Sequence, residues 1–160
     1  MEHFDDRIGP LALLTGTWAG TGDGVYPTIE SFGYTEEITF ADGGVKPFLV
    51  YTQRTRHADD GRPLHAEAGF VRWAGGAPEL IIASPTGVTE VHTGTATIVA
   101  GGLDLEFRTI TVAASPTAKP VTSVGRGLHV RGDELTYELF MGAVGLPHQL
   151  HLTARLHRIS

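Results

Sequence analysis

Apolar, β-branched and aromatic residues gather along this chain in short alternating runs, about ten residues apart, divided by Gly, Pro and Asp clusters. That spacing predicts antiparallel strands joined by tight turns. The candidate strands run Thr17–Val25, Tyr34–Phe40, Phe48–Thr55, His65–Trp73 and Leu80–Ala83, then Val88–Thr93, Thr95–Val99, Leu103–Thr111, Val121–Val130, Leu135–Met141 and Gln149–Leu156. Turn signals stand between them at Asp42-Gly43-Gly44, Asp59-Asp60-Gly61, Gly75-Gly76, Gly101-Gly102 and Arg131-Gly132-Asp133. No amphipathic helical stretch interrupts the series, which argues against a parallel sheet with crossover helices. Pro10 to Leu14 reads as one short helical turn that plugs a barrel end. A barrel of roughly eight to ten strands encloses room for one ligand.

The first strand carries the densest signal. It reads Gly16-Thr17-Trp18-Ala19-Gly20-Thr21-Gly22-Asp23-Gly24-Val25-Tyr26-Pro27-Thr28-Ile29. Strand residues alternate faces, so Trp18 shares a face with Gly16, Gly20 and Gly22. A large ring beside missing side chains suggests close approach to backbone and a sharp bend. On residues alone this is a core tryptophan with bend-forming glycines.

Composition narrows the chemistry. At 160 residues and 41% hydrophobic, the chain supports one domain with one core, taken as residues 1–160. A formal charge of −6 without a basic run argues against nucleic acid. The absence of cysteine removes disulfides and thiolate ligation of metal or haem. No apolar run approaches the roughly 20 residues of a membrane span, and the acidic N-terminus lacks a secretory core. The expectation is a cytoplasmic protein without a membrane partner. A homodimer is left open. There is no Gly-x-Ser-x-Gly elbow and no His-Glu-x-x-His zinc helix. Gly20-Thr21-Gly22-Asp23-Gly24-Val25 has valine where a dinucleotide fingerprint places its third glycine.

Of the eight histidines, His3, His57 and His129 read as solvated, and His92 with Glu90 as a surface pair. His157 beside Arg158 reads as exposed. His148 and His151 are three apart on extended chain and face opposite ways. His65 and Glu67 share a face and supply two metal ligands with no third nearby. Strict alternation sets His151 opposite Leu150 and Leu152, which would turn it away from an apolar interior unless a bulge near Pro147 intervenes or the mouth is polar inside and apolar outside.

The segment from Gly16 to Ile29 resembles the Gly-x-Trp-x-Gly-x-Gly motif of the nitrobindin family. The likeness continues through Lys46-Pro47-Phe48-Leu49, Tyr51-Thr52-Gln53, Pro63-Leu64-His65-Ala66-Glu67, Ser84-Pro85-Thr86-Gly87, Ser115-Pro116-Thr117-Ala118-Lys119 and Met141 to Leu152. It implies an all-β, ten-stranded antiparallel up-and-down barrel of the fatty-acid-binding-protein or lipocalin-like kind, with a short N-terminal helical turn. The resemblance further implies one ferric haem b, with His151 as the axial iron ligand and catalytic centre. By the same resemblance Thr28 matches a haem-site threonine and Lys119 a lysine suited to a propionate, while His65 and Met141 line the pocket. The activity it implies is isomerisation of peroxynitrite to nitrate, together with nitric oxide binding. Two other readings stand beside it. A nitric oxide sensor or store would use the same haem without turnover. A lipocalin-like carrier of a small apolar molecule would explain Trp18 and its glycines equally well.

Overall fold

The computed structural model describes residues 7–160. Ten antiparallel strands close into a barrel: β1 (Gly16–Tyr26), β2 (Ile29–Asp42), β3 (Phe48–His57), β4 (Pro63–Ala74), β5 (Ala77–Ala83), β6 (Val88–Val99), β7 (Gly102–Ala114), β8 (Val121–Arg131), β9 (Glu134–Ala143) and β10 (Gln149–Arg158). Each strand pairs with its sequence neighbours, and β1 pairs with β10 from Trp18↔Arg158 to Gly24↔Leu152, so no edge is left open. The two segments expected around Gly94 are one strand, β6. Its pairing with β7 runs unbroken through Gly94↔Phe107, where the missing side chain makes room for the Phe107 ring.

Up-and-down order sends alternate turns to opposite ends. The turns after β1, β3, β5, β7 and β9 form the mouth, and those after β2, β4, β6 and β8 form the floor. A 3-10 turn, Gly9–Leu14, crosses the floor and buries Leu11 and Leu14 completely. It begins one residue before the expected Pro10, whose fixed φ suits the first turn.

Trp18 holds this plug in place. Its indole is fully buried, and its Nε1–H donates to the Leu14 carbonyl at 2.8 Å. Arg158 lies over the ring at 4.2 Å and donates to the carbonyls of Leu13 and Thr15. The neighbouring glycines serve other contacts. A Cβ at Gly20 would come within 2.7 Å of Leu156 Cα, and one at Gly22 or Gly24 would overlap the rings of Tyr34 or Phe32. The rings laid against bare backbone are therefore those of β2, while Gly20 lets β10 approach.

No helix among the described residues is long and apolar enough to cross a membrane.

Candidate functional site

The barrel encloses a cavity of about 670 Å³ that runs from the mouth to the Leu14 plug. Its outer layer contains His65 at the start of β4, Met141 on β9 and His151 on β10, with Thr28 in the β1–β2 turn and Lys119 in the β7–β8 loop. Thr28 and Lys119 are exposed, and the other three are half-buried.

His151 faces inward because β10 bulges there. Leu150 pairs with Phe140 and Leu152 with Leu139, so β10 advances two residues while β9 advances one, and His151 is the extra residue. The bulge breaks strict alternation: Leu150 turns outward, while His151 and Leu152 both line the cavity.

The imidazole is oriented from two sides. Its Nδ1–H donates to the Val25 carbonyl at 2.9 Å, and the ring stands edge-on to Tyr26 at 5.3 Å. Tyr26 is itself fixed, since its hydroxyl accepts from the Ala143 N–H at 3.0 Å. A carbonyl cannot donate, so the Val25 contact selects the tautomer with an unprotonated Nε2. Burial pushes the His151 pKa down, and the nearby His65 charge adds to the fall against the Val25 bond. The result is a neutral ring with one free lone pair, which is what a metal ligand requires.

The rim is tied together nearby. Val144, at φ 49, takes a left-handed conformation that a β-branched residue rarely adopts. Its N–H reaches the Pro120 carbonyl at 2.9 Å and joins the β9–β10 turn to the loop carrying Lys119.

Below this layer the wall turns polar. Arg126 on β8 bonds Glu67 on β4 with both terminal nitrogens, at 2.6 and 3.1 Å, and Glu90 on β6 at 2.9 Å. Glu67 also accepts from Tyr51 at 2.7 Å and contacts His65 Nε2 at 3.2 Å. Burial alone would raise both carboxyls, but the Arg126 guanidinium outweighs it and holds Glu67 and Glu90 below the usual range. Glu36 on β2 has no such partner. It accepts from Gln53 at 2.6 Å and Tyr137 at 2.7 Å, yet burial still pushes its pKa up to about 7.

These features fit a haem. A planar apolar group entering the mouth meets Met141, Val121 and Leu152, an imidazole with a free nitrogen, and a lysine at the rim where its carboxylates would reach water. A family model for the THAP4-like, heme-binding beta-barrel domain matches residues 7–158. The chain belongs to the nitrobindin family. Among similar nitrobindin-family proteins, "Peroxynitrite isomerase 2" of Mycobacterium marinum is 53% identical over 154 residues, covering 96% of this chain and 95% of that one. "Peroxynitrite isomerase" of Nocardia farcinica is 51% identical over 154 residues, covering 94% and 90%. The crystal structure of Rv2717c from M. tuberculosis superposes with a TM-score of 0.94 at 44% identity, covering 99% of this chain and all of that one.

Within this nitrobindin barrel, all five of the expected cofactor contacts lie on one cavity, while Gly16, Trp18, Gly20 and Gly22 lie in the strand that closes the floor. Other histidines depart from expectation. His92 and Glu90 are not a surface pair: both are buried, and the two bond at 2.8 Å. The β6–β7 register shift at Val91/His92 lies beside this inward pair. His129 is half-buried between Asp104 at 2.8 Å and Glu138 at 2.9 Å. His57 is half-buried and stacks on Phe32. His148 is exposed, bonds Ser123 and stacks on Phe140 outside the cavity. His157 is exposed, and His3 lies outside the described residues. His65 and Glu67 bond each other.

The polar belt of Glu36, Gln53, Glu67, Glu90 and Arg126 escaped the sequence reading. The available signal was phase. Each of these residues stands at an inward position alternating with Tyr34 and Ile38, Tyr51, Val71, Val88, or Val124 and Leu128.

Proposed function

We propose that this chain binds one ferric haem b at the barrel mouth through His151 and isomerises peroxynitrite to nitrate in the cytoplasm. The observation that carries the reading is the free Nε2 of His151, made available by the Val25 bond and held at the cavity wall by the β10 bulge. The names of relatives about half identical to it supply the reaction class.

A haem held here would supply a Lewis-acidic iron suited to activating the O–O bond of an anionic oxidant. The protein's part is ligation and enclosure. His151 would hold the iron as a neutral donor, with Val25 and Tyr26 fixing the ring's orientation. Lys119 at the rim would neutralise a propionate. Met141, Val121, Val124 and Leu152 wall the space beside His151 with apolar surface, which would keep a reacting molecule enclosed there. The conversion is an isomerisation, with no net gain or loss of protons or electrons, and it needs no carboxylate pair as acid and base. Nitric oxide is a second ligand of the same open site.

Stopped-flow decay of peroxynitrite with haem-loaded, haem-free and His151→Ala protein tests this. The rate should follow haem occupancy and be lost in the variant. Haem binding without accelerated decay would instead favour a nitric oxide sensor or store. No haem binding at all would favour a carrier of a small apolar molecule.

A further inference from the structure

The cavity is deeper than its mouth. Two residues inward from His65 along β4 stands Glu67, and with it the polar belt contributed by β2, β3, β4, β6 and β8. Beneath it the wall is apolar again, with Leu14, Ile38, Phe40, Val71, Leu80 and Phe107. None of these inner residues is among the five expected haem contacts at the rim.

Its charges say what it would accept. Glu67 and Glu90 share one guanidinium, that of Arg126, and each also contacts an imidazole, His65 and His92 respectively. An incoming anion meets carboxylates on β4 and β6 whose shared guanidinium is already engaged. Gln53 supplies a complementary feature. It lines the cavity, is 6% exposed and gives its Nε2–H to Glu36, while its Oε1 has no partner. A buried acceptor left alone is costly, and a donor brought to it recovers the missing bond.

We propose that the inner chamber is a second ligand site, taking a small uncharged molecule with an apolar body and one O–H or N–H donor. The body rests on the floor leucines and phenylalanines, and the donor meets the Gln53 carboxamide at the belt. The site goes beyond haem chemistry, though it rests on haem occupying only the mouth layer.

Calorimetric titration of haem-loaded and haem-free protein with benzyl alcohol, ethylbenzene and benzoate tests the site. Benzyl alcohol and ethylbenzene match in shape and differ in one donor. Benzyl alcohol should bind about fivefold to tenfold more tightly, the worth of one such bond, and benzoate should not bind detectably. Gln53→Met should abolish the preference, the hydrocarbon then binding at least as tightly as the alcohol, whose hydroxyl would be buried without a partner. Should that variant fail to fold, the wild-type ratio decides alone. Equal wild-type affinities for alcohol and hydrocarbon would overturn the assignment. Binding confined to haem-free protein would also overturn it, since haem and ligand would then compete for one space. The haem-free arm does not depend on His151, so a failure of the haem reading would show separately.

Discussion

At the floor of the barrel, the polar atoms that matter are committed to the protein itself. Trp18 Nε1–H is spent on Leu14, and Arg158 on Leu13, Thr15 and Asp133. At the mouth the reverse holds: His151 Nε2 has no hydrogen bond, and Lys119 no ion pair, among the described residues. Both ends use the same kind of orienting contact, a ring N–H given to a backbone carbonyl. The indole has nothing further to offer once its single N–H is used, whereas the imidazole keeps a lone pair. Tryptophan therefore locks an end, and histidine opens one to chemistry.

If that division is real, damage to the floor should cost stability and spare the cofactor site. Trp18→Ala empties a fully buried position and should destabilise by about 3–5 kcal/mol in urea melts. Haem bound per folded molecule should stay unchanged. Loss of haem affinity at conditions where the variant is still folded would mean the two ends are coupled.

The belt between them should respond to pH. Glu36 has a pKa of about 7 when folded and an ordinary 4.5 when unfolded. Folding therefore favours its protonated form, and that contribution is fully present below about pH 4.5 and lost as pH rises through about 7. Relative to Glu36→Gln, the wild type should lose about 2–3 kcal/mol between about pH 5 and pH 8.5. Parallel stability curves for the two proteins would remove the buried-carboxyl account.

A smaller effect belongs to the β1–β10 seam. Gly20→Val should cost about 1–3 kcal/mol, because the new side chain meets the Arg155 carbonyl and Leu156 backbone rather than the indole. Denaturation midpoints equal to wild type would show that the seam yields without strain.

Sequence reading reached the floor and the barrel more easily than the mouth. Strand spacing and turn residues depend on local chain, so β1 to β10 were legible, apart from the unneeded break at Gly94. The direction of His151 was not. It depends on a one-residue bulge against β9, and alternation along β10 alone gives the opposite facing. The belt was hidden for another reason. Glu67 and Arg126 lie on strands far apart in sequence, and nothing local marks them as partners across the barrel interior. Glu90 and His92, two apart on one strand, look like a surface pair until closure turns that face inward.

The central claim is that β10 presents His151, and not its neighbour His148, to a haem. Haem titration followed by absorption spectroscopy in wild type, His151→Ala and His148→Ala measures this directly. His148→Ala should match wild type, since its ring lies outside against Phe140 and Ser123. His151→Ala should weaken haem by roughly a hundredfold or more, equivalent to about 3 kcal/mol, and change the ferric spectrum of any haem that remains. The opposite ranking, or equal affinity in all three proteins, would contradict the account.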